Sequence, residues 1–165
     1  MKIAICSDIH DNIWILEKAL TGMQDADALL FCGDFCAPFT LVQIAEGFAG
    51  QIHVVWGNND GDKWLLTNQA HRFGKVELHG ELGEIELGGR KVAINHYPEI
   101  AQGLVQSGNY DLVCYGHNHQ AHNEKVGETR FLNPGELMGR FGTSGYAVVE
   151  TSTGEVEFRE VERKG

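Results

Sequence analysis

Hydrophobic positions along the first half of the chain come in short unbroken runs separated by segments of helical periodicity. The runs are Ile3-Ala4-Ile5-Cys6, Leu29-Leu30-Phe31-Cys32 and Ile52 to Trp56. Runs of this length fit strands buried on both faces. Between them, Asp11 can cap a helix to about Met23, with Ile13, Leu16 and Leu20 along one face. Pro38 suits the first turn of a helix to about Phe48, and Asp60 to Ala70 reads as a third helix. Strand-helix-strand order implies a parallel sheet.

The pattern then changes. Lys75 to Leu78, Leu82 to Leu87 and Arg90 to Asn95 read as short antiparallel strands, with Gly88-Gly89 as the turn between the last two. Pro98 to Ser107 reads as a helix, and Asp111 to Tyr115 returns to the core. Strands follow near Ala121 to Val126, Thr129 to Asn133, Gly145 to Thr151 and Glu155 to Val161. The pattern predicts an α/β fold, a four-layer αββα sandwich of two mixed sheets flanked by helices. Residues 1–165 are expected to form a single domain, since no linker or repeat divides them.

Five apolar runs end in groups that bind metals. Asp8 and His10 follow the first, Asp34 the second, and Asn58, Asn59 and Asp60 the third. Val92-Ala93-Ile94 leads to His96, and Leu112 to Tyr115 leads to His117 and His119. Sites in open α/β sheets form beyond the carboxyl ends of strands. Asp-x-His and His-x-His place alternate side chains on one face in extended backbone, so each pair can converge on an ion. Taken singly, each piece has an ordinary reading as a cap, a turn or a packed residue. The recurrence of oxygen and nitrogen donors at one topological place points to one shared metal centre.

Composition narrows the setting. Hydrophobic residues make up 42% and charged residues 22%, the mix of a soluble globular protein. No apolar stretch approaches the ~20 residues that span a bilayer, and Met1 to Ile5 runs straight into a strand without a signal-peptide pattern. A cytoplasmic location without membrane association is therefore expected. The net charge of -10 argues against a broad surface for duplex nucleic acid, but not against a small anionic substrate at a cationic centre. Cys6, Cys32 and Cys114 read as core residues and Cys36 as a loop residue, with no disulfide framework. His53, His71 and His79 are expected to bind no metal, and Trp14, Trp56 and Trp64 to pack in the core or between helices. The sequence leaves homo-oligomer formation open.

The ordered set Asp8-x-His10, Gly33-Asp34, Gly57-Asn58-x-Asp60, His96 and Gly116-His117-x-His119 resembles the calcineurin-like metallophosphoesterase superfamily. The short length and Asn133-Pro134-Gly135 are similar to its small bacterial and archaeal phosphodiesterase branch. The resemblance implies two divalent cations, Mn²⁺ first, with Fe²⁺, Ni²⁺, Zn²⁺ and Mg²⁺ open. One would be held by Asp8, His10, Asp34 and His119, the other by Asp34, Asn58, His96 and His117, with Asp34 shared. It implies hydrolysis of small phosphodiesters by a metal-bridging hydroxide, with Asn58, Asn59 and His96 in catalytic positions. Asp60 would orient a ligand or cap the following helix. A phosphomonoesterase or nucleotidase is the alternative within enzymes. The other class is a protein-binding scaffold, like the retromer subunit of this fold, in which ligands are eroded. Two departures stand out. Asn59 occupies a position where relatives carry His or Cys, and His96 is followed by Tyr97-Pro98. Because Asn is no acid, His122 is a candidate proton donor. Arg72, Arg130 and Arg140 are candidate phosphate contacts.

Overall fold

The computed structural model of the chain describes residues 1–162. Strands β1 (Lys2–Cys6), β2 (Ala28–Phe31), β3 (Gln51–Val54) and β4 (Val76–Leu78) run parallel in that spatial order. They are linked by helices α1 (Ile13–Gly22), α2 (Pro38–Gly47) and α3 (Lys63–Arg72). Strand β10 (Gly145–Glu150) pairs antiparallel with β1, and β11 (Val156–Glu160) with β10, which completes a six-stranded mixed sheet. The second sheet has the order β5 (Leu82–Leu87), β6 (Arg90–Asn95), β7 (Leu112–Cys114), β9 (Thr129–Asn133), β8 (His122–Val126). Its centre, β6-β7-β9, is parallel and its edges are antiparallel. Helix α4 (Pro98–Ser107) makes the β6-to-β7 crossover.

The unbroken apolar runs follow from burial on both faces. Ala4 and Cys6 of β1, and Leu29 and Phe31 of β2, face α1 and α2 with Leu16, Leu20, Leu41 and Ile44. Their alternates Ile3, Ile5, Leu30 and Cys32 meet Val92, Ile94, Cys114 and Leu132 of the other sheet. Beyond that sheet, Ala101 and Val105 of α4 cover Ala93, Val113 and Phe131. The result is the expected four-layer αββα sandwich of two mixed sheets.

Three expectations change. Val76–Leu78 joins the first sheet parallel to β3 rather than forming an antiparallel set with β5 and β6. The cap of α1 is Asn12, whose Oδ1 accepts from the Ile15 N–H. Asp11 turns instead to α2, where its Oδ1 accepts from the Ala37 N–H at 2.9 Å and the Thr40 hydroxyl at 2.6 Å. Trp14 and Trp64 are 72% and 77% exposed, not core. Each is the second residue of its helix, on the face turned from the sheet, and only Trp56 packs against the core.

Candidate metal centre

Both sheets aim their strand ends at one place. The loops after β1, β2, β3, β6 and β7 bring together Asp8, His10, Asp34, Asn58, His96, His117 and His119. These loops turn sharply. Among the described residues, positive φ falls on eight non-glycine positions, and Asp8 (55°), His10 (43°), Asp34 (59°), His117 (72°) and His119 (62°) are five of them. Asp, Asn and His tolerate this region better than most residues, yet it costs about 1–3 kcal/mol each and gathers at functional sites. The glycines beside them allow the loops to touch. A Cβ at Gly57 would lie 2.1 Å from Asp34 Oδ1, and one at Gly116 would lie 2.0 Å from Ser7 Oγ and 2.7 Å from Asp8 Oδ2.

The donor atoms form two overlapping groups. In the first, Asp8 Oδ1 stands 3.5 Å from His119 Nε2 and 3.8 Å from His10 Nε2. In the second, His117 Nδ1 is 2.9 Å from Asn58 Oδ1 and 3.2 Å from His96 Nε2, and Asn58 Oδ1 is 3.0 Å from His96 Nε2. Asp34 belongs to both: its Oδ2 lies 3.5 Å from His10 Nε2 and 3.5 Å from His96 Nε2. Asp8 Oδ1 and His10 Nε2 are buried and make no hydrogen bond. Leaving such atoms without partners is costly, so a cation fits this donor set where packing alone does not.

The outer nitrogens of two candidate ligands are fixed. His96 Nδ1 meets the Cys32 carbonyl oxygen at 2.7 Å, which directs Nε2 at the centre. His119 Nδ1 meets Glu136 Oε2 at 2.8 Å, and the other Glu136 oxygen accepts from the Phe141 and Gly142 N–H groups at 2.5 and 2.6 Å. Glu136 is buried. It completes a carboxylate–histidine arrangement that sets the ring's tautomer and orientation. Sequence reasoning missed it, although it directly follows Asn133-Pro134-Gly135. Glu136→Gln should lower metal affinity about 10–100-fold, read by titrating metal-free protein. Unchanged affinity would mean that Glu136 only braces the 141–142 turn.

Asp60 caps no helix; Asp62 caps α3. Asp60 instead accepts from the N–H groups of Asp34 (3.0 Å), Cys36 (2.7 Å) and Gly57 (2.6 Å), tying two ligand loops together. Burial pushes its carboxyl pKa up against the pull of those donors. Asp34 is also buried. Burial opposes its charge, but His96 and the Asn59 backbone and side chain hold its carboxyl well below the usual range. Asn59 donates to Asp34 twice, from N–H and from Nδ2, each at 2.8 Å. The facing Asp8 carboxylate pushes the His10 pKa up, against the effect of burial. Burial pulls His96 down, yet Asp34 raises it above the ordinary value. Cys36, 3.7 Å from His10 Nδ1, has its thiol pushed up to about 12 by burial and then by Asp11 and Asp60, so it is no nucleophile at neutral pH.

Other candidates lie elsewhere. His122 Nδ1 meets the Tyr115 hydroxyl at 3.0 Å, and its ring packs on Phe131, away from the ligands. Arg72 bonds Gln69, and Arg130 bonds Asn123. Only Arg140 is close, stacked over Phe141, whose ring meets His119 edge-on at 5.2 Å.

A strand-end centre of this kind on a sandwich of two mixed sheets defines a metallophosphoesterase. The chain belongs to the calcineurin-like phosphoesterase superfamily, whose domain matches residues 1–154. It is 30% identical to a phosphodiesterase of Methanocaldococcus jannaschii over 98% of both chains. The structure of an archaeal phosphodiesterase superposes with a TM-score of 0.90 at 27% identity, covering 97% of this chain and 99% of that one. The zinc complex of Vps29 from Entamoeba histolytica shares the fold, with a TM-score of 0.69 at 21% identity over 98% of each chain.

Proposed function

We propose that this protein is a phosphodiesterase working with two divalent cations. One is held by Asp8, His10, Asp34 and His119, the other by Asp34, Asn58, His96 and His117. The observation that carries this reading is the single Asp34 oxygen lying 3.5 Å from a histidine of each group. When bound, such cations neutralise charge growing on the phosphoryl oxygens and activate water near neutral pH. Mixed carboxylate, amide and imidazole donors suit Mn²⁺, our first choice.

The residues divide the remaining work. Asp8, Asp34 and His96 form a buried floor, while Asn58, Asn59 and His117 are exposed at the mouth, where a substrate enters. A cavity of 620 Å³ beside His119, walled by Pro134 and Phe141, leaves room for the second ester arm of a diester. Asn59 offers only amide hydrogens and cannot give a proton to a departing alcohol. The diester preference rests on the archaeal relatives. The complete donor set speaks against a scaffold with eroded ligands. No helix among the described residues is long and apolar enough to cross a membrane. The buried free thiols of Cys6, Cys32 and Cys114 support a cytoplasmic setting.

The test is to strip the metals, reload with Mn²⁺ and compare an activated aryl diester with an aryl monoester across pH. Hydrolysis should vanish on stripping, return on reloading and favour the diester. Ligation needs neutral imidazoles. The raised values of His10 and His96 in the metal-free protein mean that protons compete from above the ordinary ~6.5. Bound metal and rate should therefore fall together as pH drops through about 7 to 6. Full turnover by stripped protein, or full metal content and rate at about pH 4.5, two units below that reference, would contradict the proposal.

A further inference from the structure

We propose that His53, Glu77 and His79 form a separate mononuclear site for Zn²⁺ or a similar borderline transition cation at the edge of the first sheet. This reverses the expectation that neither histidine binds metal. His53 lies in β3 with Glu77 of β4 as its register partner, and His79 is two residues on, so all three share a face. That face is turned toward the second sheet: Leu30, the β2 partner of His53, belongs to the inter-sheet core, as does Val55. The apolar layer thus ends at this edge in two imidazoles, with side chains only 9% and 11% exposed. Buried polar rings are costly unless each finds a partner.

The spacing is that of ligands. His53 Nδ1 is 3.0 Å from His79 Nε2 and 3.5 Å from Glu77 Oε2, and one ligand atom from each of the three residues falls within 4.8 Å of the others. Tetrahedral donors at about 2.0–2.1 Å from an ion stand roughly 3.3 Å apart. The two rings stack at 5.2 Å and 24°, the same values as His10 and His119 in the candidate centre. Burial pulls the pKa of both imidazoles down, so they are neutral and ready to ligate at pH 7. The Glu77 side chain is 63% exposed and supplies the anionic donor from the solvent side. Two His and one carboxylate are a zinc donor set, with a fourth position left to water. Here the ion would fasten the three-residue edge strand β4 to β3.

The test counts ions after equilibrating the full chain with Zn²⁺ alone and follows the thermal midpoint. Proteins compared are wild type, Asp34→Asn, His79→Gln and the double variant. Wild type should bind three ions and His79→Gln two, with diester hydrolysis within twofold of wild type. Asp34→Asn should keep a Zn²⁺-dependent rise in Tm that the double variant lacks. Because Glu77 is exposed, Glu77→Gln folds irrespective of the site and should weaken the edge ion at least about tenfold. Measuring the edge ion in the Asp34→Asn background separates this inference from the binuclear reading. Equal Zn²⁺ binding and equal Tm shifts with and without His79 would overturn it, leaving the two rings as a hydrogen-bonded pair.

Discussion

Asp34→Asn should lower diester hydrolysis at least about 10²-fold, the scale of removing ligand charge or transition-state charge stabilisation. The replacement is isosteric, so it tests charge rather than shape. It strips a carboxylate whose Oδ2 lies 3.5 Å from a histidine of each donor group. It also places an amide where Asn59 now donates twice to a carboxylate, and only one of those bonds can be kept without a flip. Asp34 is buried, and Asp8, the carboxylate beside it, is itself grouped with His10 and His119. Metal content should fall at both sites, with the fold retained by circular dichroism. A variant that keeps two ions and full rate would show that Asp34 is no bridge.

Asn59→His should raise the rate selectively for substrates with poor leaving groups. General acid catalysis is commonly worth ~10²–10⁴-fold, and an imidazole can supply a proton that an amide cannot. Position 59 is exposed, so the larger ring has room. The main-chain N–H bond to Asp34 Oδ1 survives the change. An activated aryl diester needs little help and should respond little, while an alkyl diester should gain most. The comparison is kcat/KM for both substrates in both proteins at equal metal occupancy. Equal responses would mean that position 59 does not stand at the leaving group.

What was legible in the chain is what lies close along it. Runs such as Leu29 to Cys32 are apolar throughout because both faces are buried, and each candidate ligand sits within a few residues of a run's end. What was hidden depends on contacts between distant segments. Asp60 holds the Asp34 loop from 26 residues away, and Asp11 bonds the start of α2 rather than capping the helix beside it. The edge strand β4 pairs with β3 across a whole helix, which local periodicity cannot distinguish from pairing with β5. The same pairing brings His79 to His53, so two residues unremarkable in sequence become neighbours. Glu136 carried a faint signal, a carboxylate directly after a strand-ending Asn-Pro-Gly, but its partner His119 lies on another loop. Trp14 and Trp64 misled because size and hydrophobicity favour burial, whereas the first turn of a helix has an outer face.

The most direct test of the binuclear centre is anomalous scattering from crystals grown with Mn²⁺. Two peaks about 3.5–4 Å apart, one on either side of the Asp34 carboxylate, are the expected result. A single peak, or peaks away from Asp34, in protein that hydrolyses the diester would contradict it.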